Sequence, residues 1–308
     1  QGKYEQAEKM LATSYTFRKK EITDDITSYI NYYDNYAQLY TSWNKPEKAE
    51  KYWDDVLPKI LTYTNKMFNE FSEQEKSQFW TEYSKDFEIY NNFCLNQHKS
   101  KPQVIQKMYD NRIATKAIVL NSVNKLKKRI YNSQDSSLVR QYEEWQSLKD
   151  RIAHYYGIAP QQLKEAGIAL DSLEKVVEKF EKELNISTED KKQGKYIPLS
   201  WKEIQKTLLP GEAAIEIVRF RKFTNFFTDS IVYVALILTP DTKDNPELVV
   251  LPYGNKLESR YLTYYRNLIK IKGEDTISYN AFWKPLEAKL KGINTLYISL
   301  DGVYNQLN

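Results

Sequence analysis

Through roughly the first two-thirds of the chain, apolar residues recur at intervals of three and four, the spacing that gathers them on one face of a helix. Tyr29, Tyr33, Tyr36, Ala37 and Tyr40 make one such face. The pattern predicts helices near residues 3–20, 25–43, 46–69, 73–95, 102–131, 136–156 and 160–185. Several starts are legible. Ser72 with Glu75, and Ser200 with Glu203, have the spacing of a capping box, in which each residue satisfies a free N–H of the other. Asn44-Lys45-Pro46 reads as a turn with proline early in the following helix.

Near residue 200 the period changes. Ala213–Phe220 is short and rich in apolar and β-branched residues, and Ser230–Thr239 is an almost unbroken apolar run, as in a strand buried on both faces. Glu247–Leu251 predicts a third strand and Thr295–Leu300 a fourth, also read as buried. The first two, joined by a short loop, predict an antiparallel hairpin. Helical patterns near 255–270 and 278–291 separate the later strands, which argues for an α/β sheet. The polar stretch 186–199, with a glycine and a proline, predicts a linker.

Composition narrows the function classes. The chain carries 45 basic and 41 acidic residues, a net charge of +4, and residues 201–308 hold 14 and 12 of them. Neither part has the basic excess of a nucleic-acid binder, and no stretch has the ~18 successive apolar residues of a membrane span. The expectation is therefore no nucleic-acid and no membrane partner. The single cysteine, Cys94, excludes an internal disulfide and fits a reducing, cytoplasmic setting. The opening segment lacks an initiator Met and starts inside a helical pattern.

A repeat lies within the helical part. Tyr33, Tyr36, Ala37 and Tyr40, followed by Ala49, Trp53 and Val56, resemble a tetratricopeptide repeat. In that pattern two antiparallel helices approach closely at small residues, here Ala37 and Ala49, and aromatic rings fill the space around them. Gly2-Lys3-Tyr4-Glu5-Gln6-Ala7-Glu8-Lys9 echoes Asn44-Lys45-Pro46-Glu47-Lys48-Ala49-Glu50-Lys51, a period of 42 from Ala7 to Ala49, against the usual ~34. Phe87, Tyr90, Asn91, Ala114 and Ile118 form a looser third copy. About three repeats are needed to bury a continuous core, so further repeats are expected before Gln1.

Trp201–Glu216, containing Leu209-Pro210-Gly211-Glu212-Ala213, resembles the opening of a CHAT domain: short helix, tight turn, strand. Phe282-Trp283-Lys284-Pro285-Leu286 resembles that family's helix before its next core strand. Leu296–Gly302 resembles the strand and Asp-Gly turn that follow, with Leu300 where proline is common. The fold class this implies is an all-α tetratricopeptide-like helical repeat followed by a partial α/β caspase-like (CHAT) domain. The expected divisions are repeats over 1–131, a helical connector and linker over 132–199, and the front of a truncated CHAT domain over 200–308.

The resemblance also implies a cysteine endopeptidase, in which a histidine takes the proton of a nucleophilic thiol. In such domains both groups follow strands beyond the Asp-Gly turn. This sequence has no His or Cys after His154. No catalytic, cofactor-binding or metal-ligating residue is therefore expected here, and no cofactor. The repeats are expected to hold a protein partner or regulator, and the intact protein to act on a protein substrate. A non-enzymatic interaction scaffold is the alternative. Cys94 and His98 share a helix face four residues apart, but that is a poor setting for a nucleophile, and they read as core packing and a helix-end polar residue. His154 lies near a helix C-terminus, where a partly charged imidazole is favourable.

Overall fold

The three-and-four spacing becomes helices in the computed structural model, which describes residues 2–187 and 199–307. The linker expected at 186–199 falls almost wholly outside the described residues. In chain order the helices are α1 (Tyr4–Asp24), α2 (Ile26–Ser42), α3 (Pro46–Met67), α4 (Glu73–Gln97), α5 (Val104–Asn132), α6 (Ser136–Tyr155), α7 (Pro160–Glu165), α8 (Leu170–Ser187) and α9 (Trp201–Gln205). Strands β1 (Glu212–Phe223), β2 (Phe227–Leu238), β3 (Glu247–Leu251) and β4 (Thr295–Ser299) follow. The chain is mostly helical, with a small mixed sheet in its C-terminal part. None of the described helices is long and apolar enough to cross a membrane.

The single helix expected over 160–185 is two. Gly167 adopts φ +68, a left-handed conformation that ends α7, and Ile168 N–H closes the end on the Leu163 carbonyl at 2.9 Å. Both capping boxes form. Glu75 N–H donates to Ser72 Oγ and Ser72 N–H to the Glu75 carboxylate, and Ser200 and Glu203 do the same. At the Asn44 turn the left-handed residue is Asn44 itself, with Lys45 N–H bonded to the Tyr40 carbonyl at 2.9 Å.

The residues fall into two compact units. One comprises Gln1–Leu57, Lys85–Thr115 and Pro198–Asn308; the other comprises Pro58–Ser84 and Lys116–Ile197. In the second unit, Tyr142, Trp145 and Ile152 of α6 close with Val177 and Leu184 of α8 over Leu126 and Ile130. A buried ion pair, Lys76 with Glu181 at 3.6 Å, lies within it. Burial lowers the lysine's pKa and raises the glutamate's.

In the first unit the helices pack as successive antiparallel neighbours. Tyr4 stacks on Trp43 and Tyr15 meets Tyr32, so α1 and α2 run antiparallel. Tyr36 stacks on Tyr52 with ring centroids 4.9 Å apart, and Trp53 Nε1 donates to Thr41 Oγ1, which sets α3 antiparallel to α2. Lys101 with Glu50 and Lys107 with Asp54 set the start of α5 parallel to α3. Ala37, Ala49, Trp53 and Val56 are fully buried, as are Tyr90 and Ala114 to within 1%.

The sheet has the order β3-β2-β1-β4. β1 and β2 form the expected antiparallel hairpin, β3 is antiparallel to β2, and β4 is parallel to β1. Ile215, Ile217, Tyr233, Ala235 and Ile237 point to one face, covered by Leu257, Leu262, Phe282, Leu286, Val303 and Tyr304. Val218, Phe220, Val234, Leu236 and Leu238 are buried on the opposite face. β4 departs from its expectation as a buried strand. It is an edge, with Leu296 40% and Tyr297 54% exposed, because among the described residues nothing pairs with its outer side.

Candidate functional site

The Asp301-Gly302 turn, just beyond β4, is held by charged groups. Asp301 Oδ1 accepts the N–H of Gly302 at 2.9 Å and so starts a short 3-10 turn, Gly302–Gln306. Its Oδ2 accepts the backbone N–H of Arg219 on β1 at 3.0 Å and pairs with Arg112 of α5 at 2.6 Å. The same Arg112 Nη2 lies 3.4 Å from the Ile217 carbonyl. One carboxylate therefore ties β1, the turn and α5 together. Charge-assisted bonds of this kind are about twice as strong as neutral ones.

A second layer holds the other side of the turn. Val303 N–H donates to the hydroxyl oxygen of Tyr233 at 2.8 Å, and that hydroxyl donates to Glu258 at 2.7 Å. Glu258 sits in a π-helical stretch, Leu257–Tyr261, between two α-helical pieces, and takes both guanidinium N–H groups of Arg219. The hydrogen bond from Arg219 holds the Glu258 carboxyl below the usual glutamate range, against its partial burial. Burial, with the neighbouring Glu258 carboxylate, pushes the Tyr233 hydroxyl well up, so it remains a donor at any physiological pH. Tyr304 closes the frame, donating to the Phe282 carbonyl at 2.8 Å.

α4 and α5 grip the sheet elsewhere by the same means. Glu88 accepts the Arg221 backbone N–H at 2.8 Å and its guanidinium at 2.7 Å. Asn92, 4% exposed, donates to the Arg221 carbonyl at 2.9 Å and accepts from the Phe223 N–H at 3.0 Å. Asp110 accepts the Trp201 N–H at 2.6 Å. The side chain of Asn92 thus acts as one residue of an added strand at the end of β1.

The residues singled out in the sequence are not brought together. Cys94 is fully buried, and its Sγ faces the Val104 carbonyl at 3.6 Å. Burial pushes its thiol far up, the opposite of an activated nucleophile. His98 turns instead to the Leu95 carbonyl at 2.7 Å. His154 is exposed near the end of α6, in the other unit. Among the described residues no group of three or more His, Cys, Asp or Glu side chains could hold a metal ion. Sequence reasoning found the Asp301-Gly302 turn but missed Arg112, Glu88 and Glu258, whose ion-pair partners lie 39 to 189 residues away. Compared with family models, with curated proteins and with solved structures, the chain matches none.

Proposed function

We propose that the chain is the repeat scaffold and front portion of a CHAT-family cysteine endopeptidase, the helical repeats binding a protein partner that controls it. The observation that carries this reading is the ion pair from Arg112, on a helix of the repeat array, to Asp301 at the turn where the resemblance expects the peptidase fold to continue. A partner that shifted α5 would act on the strand order leading toward the catalytic groups. Three further features support the reading. α1 to α5 pack as helix hairpins with Ala37, Ala49 and Ala114 buried, although Val56 is bulkier than the small residue usual at its position. Trp201–Gln205, β1 and β4 follow the order the family would give. The Asp-Gly turn is held from both sides by charge.

The test is proteolysis of a broad peptide library by this 308-residue chain and by the longer reading frame around it. The expected result is no cleavage by this chain, and thiol-dependent cleavage by the longer frame that alkylation abolishes. Cleavage by this chain that vanishes in Cys94→Ala would overturn the reading. A longer frame without any thiol-dependent cleavage would favour the non-enzymatic scaffold.

A further inference from the structure

In the first unit a cleft of about 620 Å³ opens between the α2–α3 turn, the C-terminal half of α4, the β1–β2 hairpin and the end of β3. That volume is within the usual range for ligand sites. Aliphatic side chains of Leu95, Val232 and Val250 line it. Around the rim stand the amides of Asn44, Asn96 and Asn225. All three are exposed, and among the described residues neither Asn44 nor Asn96 has a side-chain hydrogen bond. Each amide offers donors and an acceptor, the complement of a peptide group.

The charge around the cleft is one-sided. No carboxylate lines it, and its one charged side chain, Lys222, is exposed with no ion-pair partner among the described residues. Two residues of the lining have left-handed backbone. Tyr253 lies at φ +65 with its ring 64% exposed, and Asn44 lies at φ +54. A left-handed tyrosine is an outlier for so bulky a side chain, and such strain persists where the surroundings fix it, often at binding sites. Tyr253 lines the cleft, and the Lys256 ammonium lies 4.9 Å from the centre of its ring.

We propose that this cleft binds an extended peptide segment of a protein partner, one carrying an aliphatic side chain for the aliphatic lining and a carboxylate for Lys222. The rim amides bond the peptide backbone, and the Tyr253 ring covers the aliphatic side chain. This deepens the partner-binding reading above and rests on it. It assigns the partner's chemistry and places its contact where the repeat turn and the sheet hairpin meet.

The experiment uses the 308-residue chain and an array of short synthetic peptides in two matched sets. One set combines Leu, Ile or Val with Asp or Glu; the other replaces the acids with Lys. A panel of neutral oligosaccharides is run beside them. The expected result is binding confined to the acidic set. Lys222→Glu should weaken it roughly tenfold, the scale of one charge-assisted bond, and shift preference toward the basic set. Asn96→Ala should weaken it about threefold to tenfold. Both positions are exposed, so neither change endangers folding. Binding of oligosaccharides alone, or of both peptide sets equally, overturns the proposal. If acidic peptides bind and Lys222→Glu and Asn96→Ala change nothing, while Phe17→Ser on the exposed side of α1 abolishes binding, the cleft assignment fails and a partner site on the repeats stands.

Discussion

Gly302 has no room for a side chain. A Cβ there would lie 2.0 Å from the Tyr233 hydroxyl and 2.6 Å from Arg219 Cδ, and its φ of +52 is left-handed. Gly302→Ala must therefore move the groups that hold Val303 and Glu258. Overpacking together with the left-handed penalty should cost about 2–4 kcal/mol, read from urea unfolding. Asp34 gives a residue-scale test by pH. Burial outweighs its hydrogen bonding with Asp86 and Gln38 and pushes its pKa up to about 6. The unfolded chain releases that proton near pH 4, by the ordinary value. Between about pH 4 and pH 6 the folded chain therefore holds the proton that the unfolded chain has lost, so this group's contribution to stability falls as pH rises and is flat above that window. Asp34→Asn removes the loss. Its advantage over the parent should grow from near zero at pH 4 to on the order of 1 kcal/mol at pH 8, in paired urea melts. An advantage of the same size at both pH values would contradict the assignment.

At the scale of elements, Ala49 and Asn255 carry the clearest consequences. Ala49 is fully buried in α3, and Ala49→Leu should cost roughly 1–3 kcal/mol by forcing the helices apart. Asn255 lies against the bare edge of β2 beyond the end of β3. Its amide accepts from Ile231 N–H at 2.8 Å and donates to the Asp229 carbonyl at 2.7 Å. Exposed strand edges recruit other chains, so Asn255→Ala should raise self-association in sedimentation while costing about 1 kcal/mol of stability. Helices and strands were mostly legible in the sequence, because burial of one face imposes a period that local residues report. Two errors show where that signal ends. The apolar period runs on through residues 160–185, and only the backbone of Gly167 breaks it. The run Thr295–Leu300 is apolar whether a strand has one neighbour or two, so its place at the edge was not written in it. The polar ties between the helices and the sheet were the least legible part. Their one local trace is a few polar residues, Asn92 among them, on an otherwise apolar helix face.

For the whole molecule, the sheet and the α4–α5 segment Lys85–Thr115 belong to one unit, with Glu88, Asn92, Asp110 and Arg112 as its polar ties. A fragment of residues 199–308 would keep the helices over Ile215 and Ile217 but bare Val218, Phe220, Val234 and Leu236, in addition to the open edge of β4. It should self-associate where the whole chain does not, as sedimentation velocity would show. The central claim is that α5 holds the Asp301-Gly302 turn in place, and native-state hydrogen exchange tests it most directly. Val303 N–H is protected by its bond to Tyr233, and Arg112 holds the adjoining Asp301. In Arg112→Ala, exchange at Gly302, Val303 and Tyr304 should quicken roughly tenfold or more, the scale of one lost charge-assisted bond, with protection in α1 and α2 unchanged. Unchanged exchange at those three amides, or equal loss of protection throughout the unit, would contradict it.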